Sequence, residues 1–125
     1  MKPQTIVQNE NIKRNLLRKL VANARNVIAN DVGLSVGVWK MNRLISWLKQ
    51  SDVHLAFPVF DEYSASVMAL PSGKERLHCS RDALRQYDGQ LNQINLNYHD
   101  RVIDACFEII DTYSKLVDNQ DAGSA

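Results

Sequence analysis

The chain has 125 residues, of which 45% are hydrophobic and 23% are charged, and this length suffices to bury the core of one domain. No apolar run reaches the roughly 18 to 20 residues of a membrane span, and the first residues are too polar for a signal peptide. These features argue against a membrane protein and predict a cytoplasmic one, in which Cys79 and Cys106 are reduced thiols.

The net charge changes sign along the chain. Residues 1–50 carry nine Lys and Arg against two Asp and Glu, a net charge of +7, whereas residues 51–125 carry six against twelve, a net charge of −6. The near-zero total of +1 argues against a nucleic-acid domain, which usually keeps a clear positive excess. We therefore expect basic and acidic helices to face each other within one fold, the alternative being an anionic partner for the first half.

Apolar residues at helical spacing predict a first helix over residues 7–29, which ends at Asn30-Asp31. Arginines follow one edge of its apolar face, at Arg14, Arg18 and Arg25. Arginines in this position usually pair with acids on a neighbouring helix. A later segment offers such acids at Asp100, Asp104 and Asp111.

A second helix is predicted over residues 32–50, with Asp31 as its N-cap. Gly33 and Gly37 lie one turn apart near its start. Each costs about 1 kcal/mol relative to alanine inside a helix, so we expect another backbone to approach closely there.

Pro58 suits the first position of a short third helix over residues 58–69. Residues 70–73, Leu-Pro-Ser-Gly, form a turn signal that ends it. A segment with apolar residues every three or four positions then predicts a long fourth helix over residues 80–117, capped by Ser80.

Together these patterns predict an all-α fold. We expect a four-helix bundle-like single domain over residues 1–118, with one short connecting helix and a long C-terminal helix. Residues 119–125 are predicted to be a disordered tail.

The segment LPSGKERLHCS concentrates the reactive side chains of the chain. It lacks the earlier glycine and the following Ser or Thr of a phosphate-binding P-loop. Cys79 precedes a helix, where the dipole lowers a thiol pKa. The side chains of adjacent residues such as His78 usually diverge, so a Cys–His pair would need His54 or His99 to fold close, and a thiol enzyme is the weaker interpretation. No histidine or cysteine has metal-ligand spacing. The sequence thus predicts no catalytic residue, no metal and no cofactor, and it leaves a candidate anion contact at Lys74, Arg76 and His78.

Several apolar residues lie outside the main apolar faces of their helices and do not fit the predicted core. Trp39 and Trp47 project away from the apolar face of the second helix. A second apolar strip on the fourth helix consists of Ile103, Phe107 and Ile110. Aromatic residues are enriched in interface cores, and symmetric dimers are the commonest oligomers, so this pattern favours the interface of a homodimer. The alternative is a three-layer packing in which the short third helix covers these residues.

Three segments share a pattern with known proteins: GVWKMNRLISWL, FPVFDEYSASVMALPSG and INLNYHDRVIDACFEII. They form a glycine-led apolar helix, an aromatic-rich connector and a long helix with an aromatic-Asp-Arg-Val centre. In this order of features the chain resembles a family of small all-helical bacterial proteins with no assigned activity. The resemblance implies an all-helical fold and carries over no functional residue.

The sequence therefore favours a non-enzymatic helical protein that works by protein–protein contact, with itself or with another protein, in an immunity-, antitoxin- or adaptor-like role. The alternative is a nucleic-acid-binding module that uses the basic edge of the first helix, where Arg14 and Arg18 would contact phosphates. An enzyme centred on Cys79 is a third hypothesis. No membrane partner is expected.

Overall fold

A computed structural model describes residues 3–123, and it describes the side chains of residues 10–117. Over this range the chain forms the helices α1 (Pro3–Ile28), α2 (Leu34–Gln50), α3 (Pro58–Met68) and α4 (Arg81–Gly123), with a 3-10 helix (Gly73–His78) before α4. No strand occurs in the described part of the chain, so the predicted all-α fold, with its short third helix and long C-terminal helix, is confirmed.

The helices pack as a bundle in which α2 and α4 lie diagonally opposite. α1 packs along both α2 and α4, α3 packs against the same two helices, and α2 and α4 barely touch. The core lies between them, and its largest fully buried side chains are Leu20, Met41, Leu48, Phe60, Tyr63 and Ile109. All buried side chains described in α4 belong to its second half, from Val102 onward.

The junction between α1 and α2 differs from the prediction. Asp31 does not cap α2, which begins at Leu34 after Gly33, an N-cap without a side-chain hydrogen bond. Asn30 instead adopts a left-handed conformation with φ 61°, and the Asp31 N–H donates to the Asn26 carbonyl. These are the features of a helix C-cap, so Asp31 ends α1 and is not free to start α2.

The predicted start of α4 is confirmed within one residue. The Ser80 hydroxyl accepts the Ala83 N–H at 3.1 Å, which is an N-cap bond, and Pro58 occupies the first turn of α3 as expected. The helix continues beyond residue 117, to Gly123. The tail predicted at residues 119–125 lies outside the described side chains, and its disorder stays a prediction.

The sequence predicts a close backbone approach at both Gly33 and Gly37, whereas the structure has a close approach at Gly37 alone of these two. A Cβ added to Gly37 would lie 2.4 Å from the Val27 Cγ2, whereas one added to Gly33 would meet nothing within 4 Å. The neighbour is therefore a side chain of α1 rather than a second backbone. Asn23, buried in α1, donates from Nδ2 to the Gly37 carbonyl at 2.9 Å and ties the two helices together.

α3 is held by hydrogen bonds to both of its neighbours. The Tyr63 hydroxyl donates to the Asn95 Oδ1 of α4 at 2.5 Å and accepts from the Ser35 hydroxyl of α2, 2.7 Å away. Asn42 of α2 also donates from Nδ2 to the Ser64 hydroxyl at 2.7 Å. One buried tyrosine therefore joins three helices.

The predicted ion pairs between α1 and α4 are not formed by Arg14 and Arg25. Neither pairs with an acid of α4 among the described side chains, and the Nε of Arg14 is buried without a hydrogen-bond partner there. The reason is the orientation of α4, whose Asp104 and Asp111 are exposed and whose Arg101 pairs with Glu62 of α3.

Gly37→Ala is expected to lower the free energy of unfolding by about 1–3 kcal/mol, because the new methyl group must displace the buried Val27. Gly89→Ala is the matched control, since Gly89 lies inside α4 with open space around it. That change should raise stability by roughly 0.5–1 kcal/mol through helix propensity. Urea unfolding of both variants checks the pair, and equal effects would contradict the packing.

Tyr63→Phe should cost about 1–3 kcal/mol, because Ser35 and Asn95 both lose a hydrogen-bond partner in a partly buried site. Tyr87→Phe provides the control, since Tyr87 is a partly buried residue whose hydroxyl has no hydrogen bond to the described residues. The midpoint of thermal unfolding should therefore fall clearly for Tyr63→Phe and change little for Tyr87→Phe.

Candidate functional site

An aromatic stripe runs along the outer face of α2. Trp39, Arg43 and Trp47 follow each other at intervals of four residues and therefore lie on one side of the helix. The buried residues of α2 lie on the opposite side, so the two indoles remain 55% and 40% exposed. The predicted outward direction of both tryptophans is confirmed.

Arg43 holds the two rings in place. Its guanidinium carbon lies 4.7 Å from the ring centroid of Trp39 and 4.8 Å from that of Trp47. Cation–π contacts at exposed positions contribute about 0.5–1 kcal/mol each. The stripe is therefore ordered before any partner arrives.

The stripe forms one wall of a groove whose other wall is α1. This tryptophan groove has a volume of about 350 Å³. Its lining residues are Lys19, Ala22, Asn23, Asn26, Trp39, Lys40, Arg43, Leu44 and Trp47. All of its ionisable residues are cations, namely Lys19, Lys40 and Arg43, and none is a carboxylate or a histidine. The groove thus combines an apolar floor with a positive rim.

A second hollow lies on the other side of Trp39, between α2 and α3. It measures about 530 Å³ and shares Trp39 with the tryptophan groove. Val36 and Met68 line it and are 50% and 83% exposed. The apolar surface of α2 therefore continues from one side of Trp39 to the other.

The remaining predicted interface residues lie elsewhere. Ile103 and Ile110 are half-buried and pack against the core, whereas Phe107 is 49% exposed on α4. Because α2 and α4 are diagonal in the bundle, the structure does not bring Phe107 together with Trp39 and Trp47. α3 leaves both tryptophans exposed. The alternative, in which the short third helix covers them, is therefore wrong for these two residues.

The three residues of the candidate anion contact are divided. Arg76 forms an ion pair with Asp88 of α4, with its Nη2 at 3.0 Å from Oδ1. Lys74 and His78 are exposed on the 3-10 helix Gly73–His78. Arg76 thus binds its own chain, and an anion contact at the other two residues stays a prediction.

The two thiols have different surroundings. Cys79 is half-buried, and its Sγ donates to the Glu75 carbonyl at 3.6 Å. Cys106 is fully buried in the core, and this burial raises the pKa of its thiol from 9.0 to about 11. In the described part of the chain no three His, Cys, Asp or Glu side chains lie close enough to share a metal ion.

Comparison with protein-family models, with curated proteins and with solved structures gives no match for this chain. The resemblance to a family of small helical bacterial proteins therefore stays a prediction. Among the described helices, none has an apolar stretch long enough to cross a bilayer.

Sequence reasoning identified the two tryptophans but missed the rest of their site. The spacing Trp-x3-Arg-x3-Trp was a readable signal that Arg43 stacks between the rings. Lys19 and Asn23 line the groove only because α1 packs against α2, and no local sequence pattern predicts this.

At pH 8, an aromatic disulfide reagent should modify Cys79 in the folded protein and both thiols after denaturation, because Cys106 is buried with a raised pKa. The unfolded chain releases the Cys106 proton near pH 9, whereas the folded chain holds it to about pH 11. Stability should therefore fall as the pH rises through this window. Absorbance of the released thiol and unfolding curves at each pH measure both effects.

Cys79→Ser provides the control, since it should leave no rapidly reacting thiol in the folded protein. Rapid reaction of two thiols without denaturant would contradict the burial of Cys106.

Proposed function

We propose that this protein is non-enzymatic and acts by binding another protein through the tryptophan groove, its occupant being an acidic, amphipathic helical segment. The observation that carries the proposal is the pair of half-exposed indoles, Trp39 and Trp47, fixed around Arg43 in a groove whose ionisable residues are all cations. A cytoplasmic location belongs to the same proposal and is supported by the two free cysteines.

The chemistry of the groove suits such a segment. An apolar side chain of the partner would pack against the ring surface of Trp39 and Trp47 that Arg43 leaves exposed, and would remove it from water. Carboxylates on the flanks of the same helix would meet Lys19, Lys40 and Arg43. Tryptophan and arginine are the residues most enriched among those that dominate binding energy at interfaces.

The composition of the groove gives little support to catalysis. Acid–base and nucleophilic mechanisms need His, Asp, Glu, Cys or a comparable activated group. The lining of the tryptophan groove contains none of these four residue types.

Nucleic acid is the second candidate, because single strands also bind by stacking on aromatic rings beside cations. One feature of the groove favours a protein instead. The basic edge predicted to contact phosphates, Arg14, Arg18 and Arg25, does not line the groove.

Intrinsic fluorescence tests the proposal directly, because both tryptophans of the chain line the groove. A synthetic helical peptide with leucine and phenylalanine on one face and glutamate on the other should give a saturable blue shift that weakens as salt is added. A peptide with lysine in place of glutamate should give none. Arg43→Glu should raise the dissociation constant at least about tenfold.

Arg85→Glu is the matched control, because Arg85 is an exposed cation of α4 that does not line the groove. It should leave the affinity unchanged. A saturable change with a single-stranded oligonucleotide, and none with the acidic peptide, would replace the proposal by nucleic-acid binding. No change with either would overturn both.

A further inference from the structure

The opposite charges of the chain stand on different faces of the bundle. α2 contains three cations and no acid, and two of these cations line the tryptophan groove. The middle of α4 carries Asp104, Glu108 and Asp111, all exposed, and no ion pair of these three occurs among the described side chains. Each face therefore keeps its charge available to a partner.

An exposed aromatic residue lies among these acids. Phe107 follows Asp104 by three residues and precedes Asp111 by four, so the three lie side by side on the helix. Its ring is 49% exposed although it is large and apolar. We call this surface the acidic ridge, formed by Asp104, Phe107, Glu108 and Asp111.

We propose that the tryptophan groove of one copy of this chain binds the acidic ridge of a second copy. This inference rests on the proposed function and names the partner, since the ridge is the acidic, amphipathic helical surface that the groove fits. Phe107 packs against the indole surface of Trp39 and Trp47 that Arg43 leaves exposed. The three carboxylates of the ridge face the three cations of the groove, Lys19, Lys40 and Arg43.

Charge excludes the simpler symmetric contact of groove with groove. Such a contact would place three cations of one copy against three of the other, with no carboxylate lining either side. Like charges that are forced together repel, and the repulsion grows as water is removed. The ridge paired with itself would bring carboxylates together in the same way.

The geometry makes the contact head-to-tail. α2 and α4 are diagonal in the bundle, so a copy can offer its groove to one neighbour and its ridge to another. Contacts of this type build rings or open chains rather than two-fold dimers. Each contact pairs three cations with three carboxylates, and we therefore expect reversible association that depends on concentration and weakens with salt.

Two variants that each lack one surface test this arrangement. Trp47→Asp places an acid in the groove, and the triple variant Asp104→Asn, Phe107→Ala, Glu108→Gln removes the ridge. Both change exposed positions, so circular dichroism and thermal unfolding should match those of the original chain. In sedimentation the original chain should grow in mass with concentration, while each variant alone stays near 14.2 kDa.

Mixing the two variants gives the decisive measurement. One intact groove then meets one intact ridge, so the mixture should stop at a heterodimer of twice 14.2 kDa and go no further. A mixture that remains monomeric would overturn the proposal. Self-association of either variant at the level of the original chain would also overturn it, since one of the two surfaces would then be unnecessary.

The peptide titration separates this proposal from the function on which it rests. If the original chain stays monomeric at every concentration while the acidic peptide still shifts its fluorescence, the second copy is the wrong partner and the groove remains a protein-binding site. If Arg43→Glu changes neither self-association nor peptide binding, the proposed function fails as well.

Discussion

The close packing of α1 on α2 at Asn23 and Gly37 is the constraint on which the rest of the molecule depends. Asn23 donates to the Gly37 carbonyl, and Val27 fills the space that a Cβ of Gly37 would occupy. Together they fix the rotation of α2 about its own axis. With that rotation Met41 is buried and Trp39 faces solvent. Because Asn23 also lines the tryptophan groove, the contact that stabilises the fold sets the width of the site.

α4 is supported differently along its length, and this decides which part of it can present a rigid surface. Its first half has no fully buried side chain: Ile94 and Tyr98 are only partly buried against the core. Tyr63 of α3 adds a hydrogen bond to Asn95, and Arg76 adds an exposed ion pair, a kind of contact that contributes little. Its second half buries Val102 and Ile109 in the core. Phe107 belongs to this second half, so the acidic ridge stands on the better supported part of the helix.

Helical periodicity predicts most of the fold, because each amphipathic helix must bury one face whatever its neighbours are. It also predicts that Trp39 is exposed, since a helix of a small bundle cannot bury two opposite faces. It fails at Asp31, whose role depends on the left-handed backbone of Asn30. It fails again for Arg14, because the rotation of α4 about its axis decides whether an acid of α4 faces this arginine. The groove itself needs Lys19, twenty residues before Trp39, and only the packing of α1 brings them together.

The near-zero net charge is a total in which a cationic groove and an acidic ridge on different faces of the molecule offset each other. With a total of +1, copies of the chain do not repel one another at long range, so in the proposed association the local charges of the groove and the ridge would decide how two copies meet. These charges act chiefly on the rate of association. The stacked rings act on dissociation, because Arg43 has already ordered Trp39 and Trp47 and less entropy is lost when a partner is bound. Salt should therefore lower the association rate of the proposed contact, whereas loss of the Arg43 stack should raise its dissociation rate.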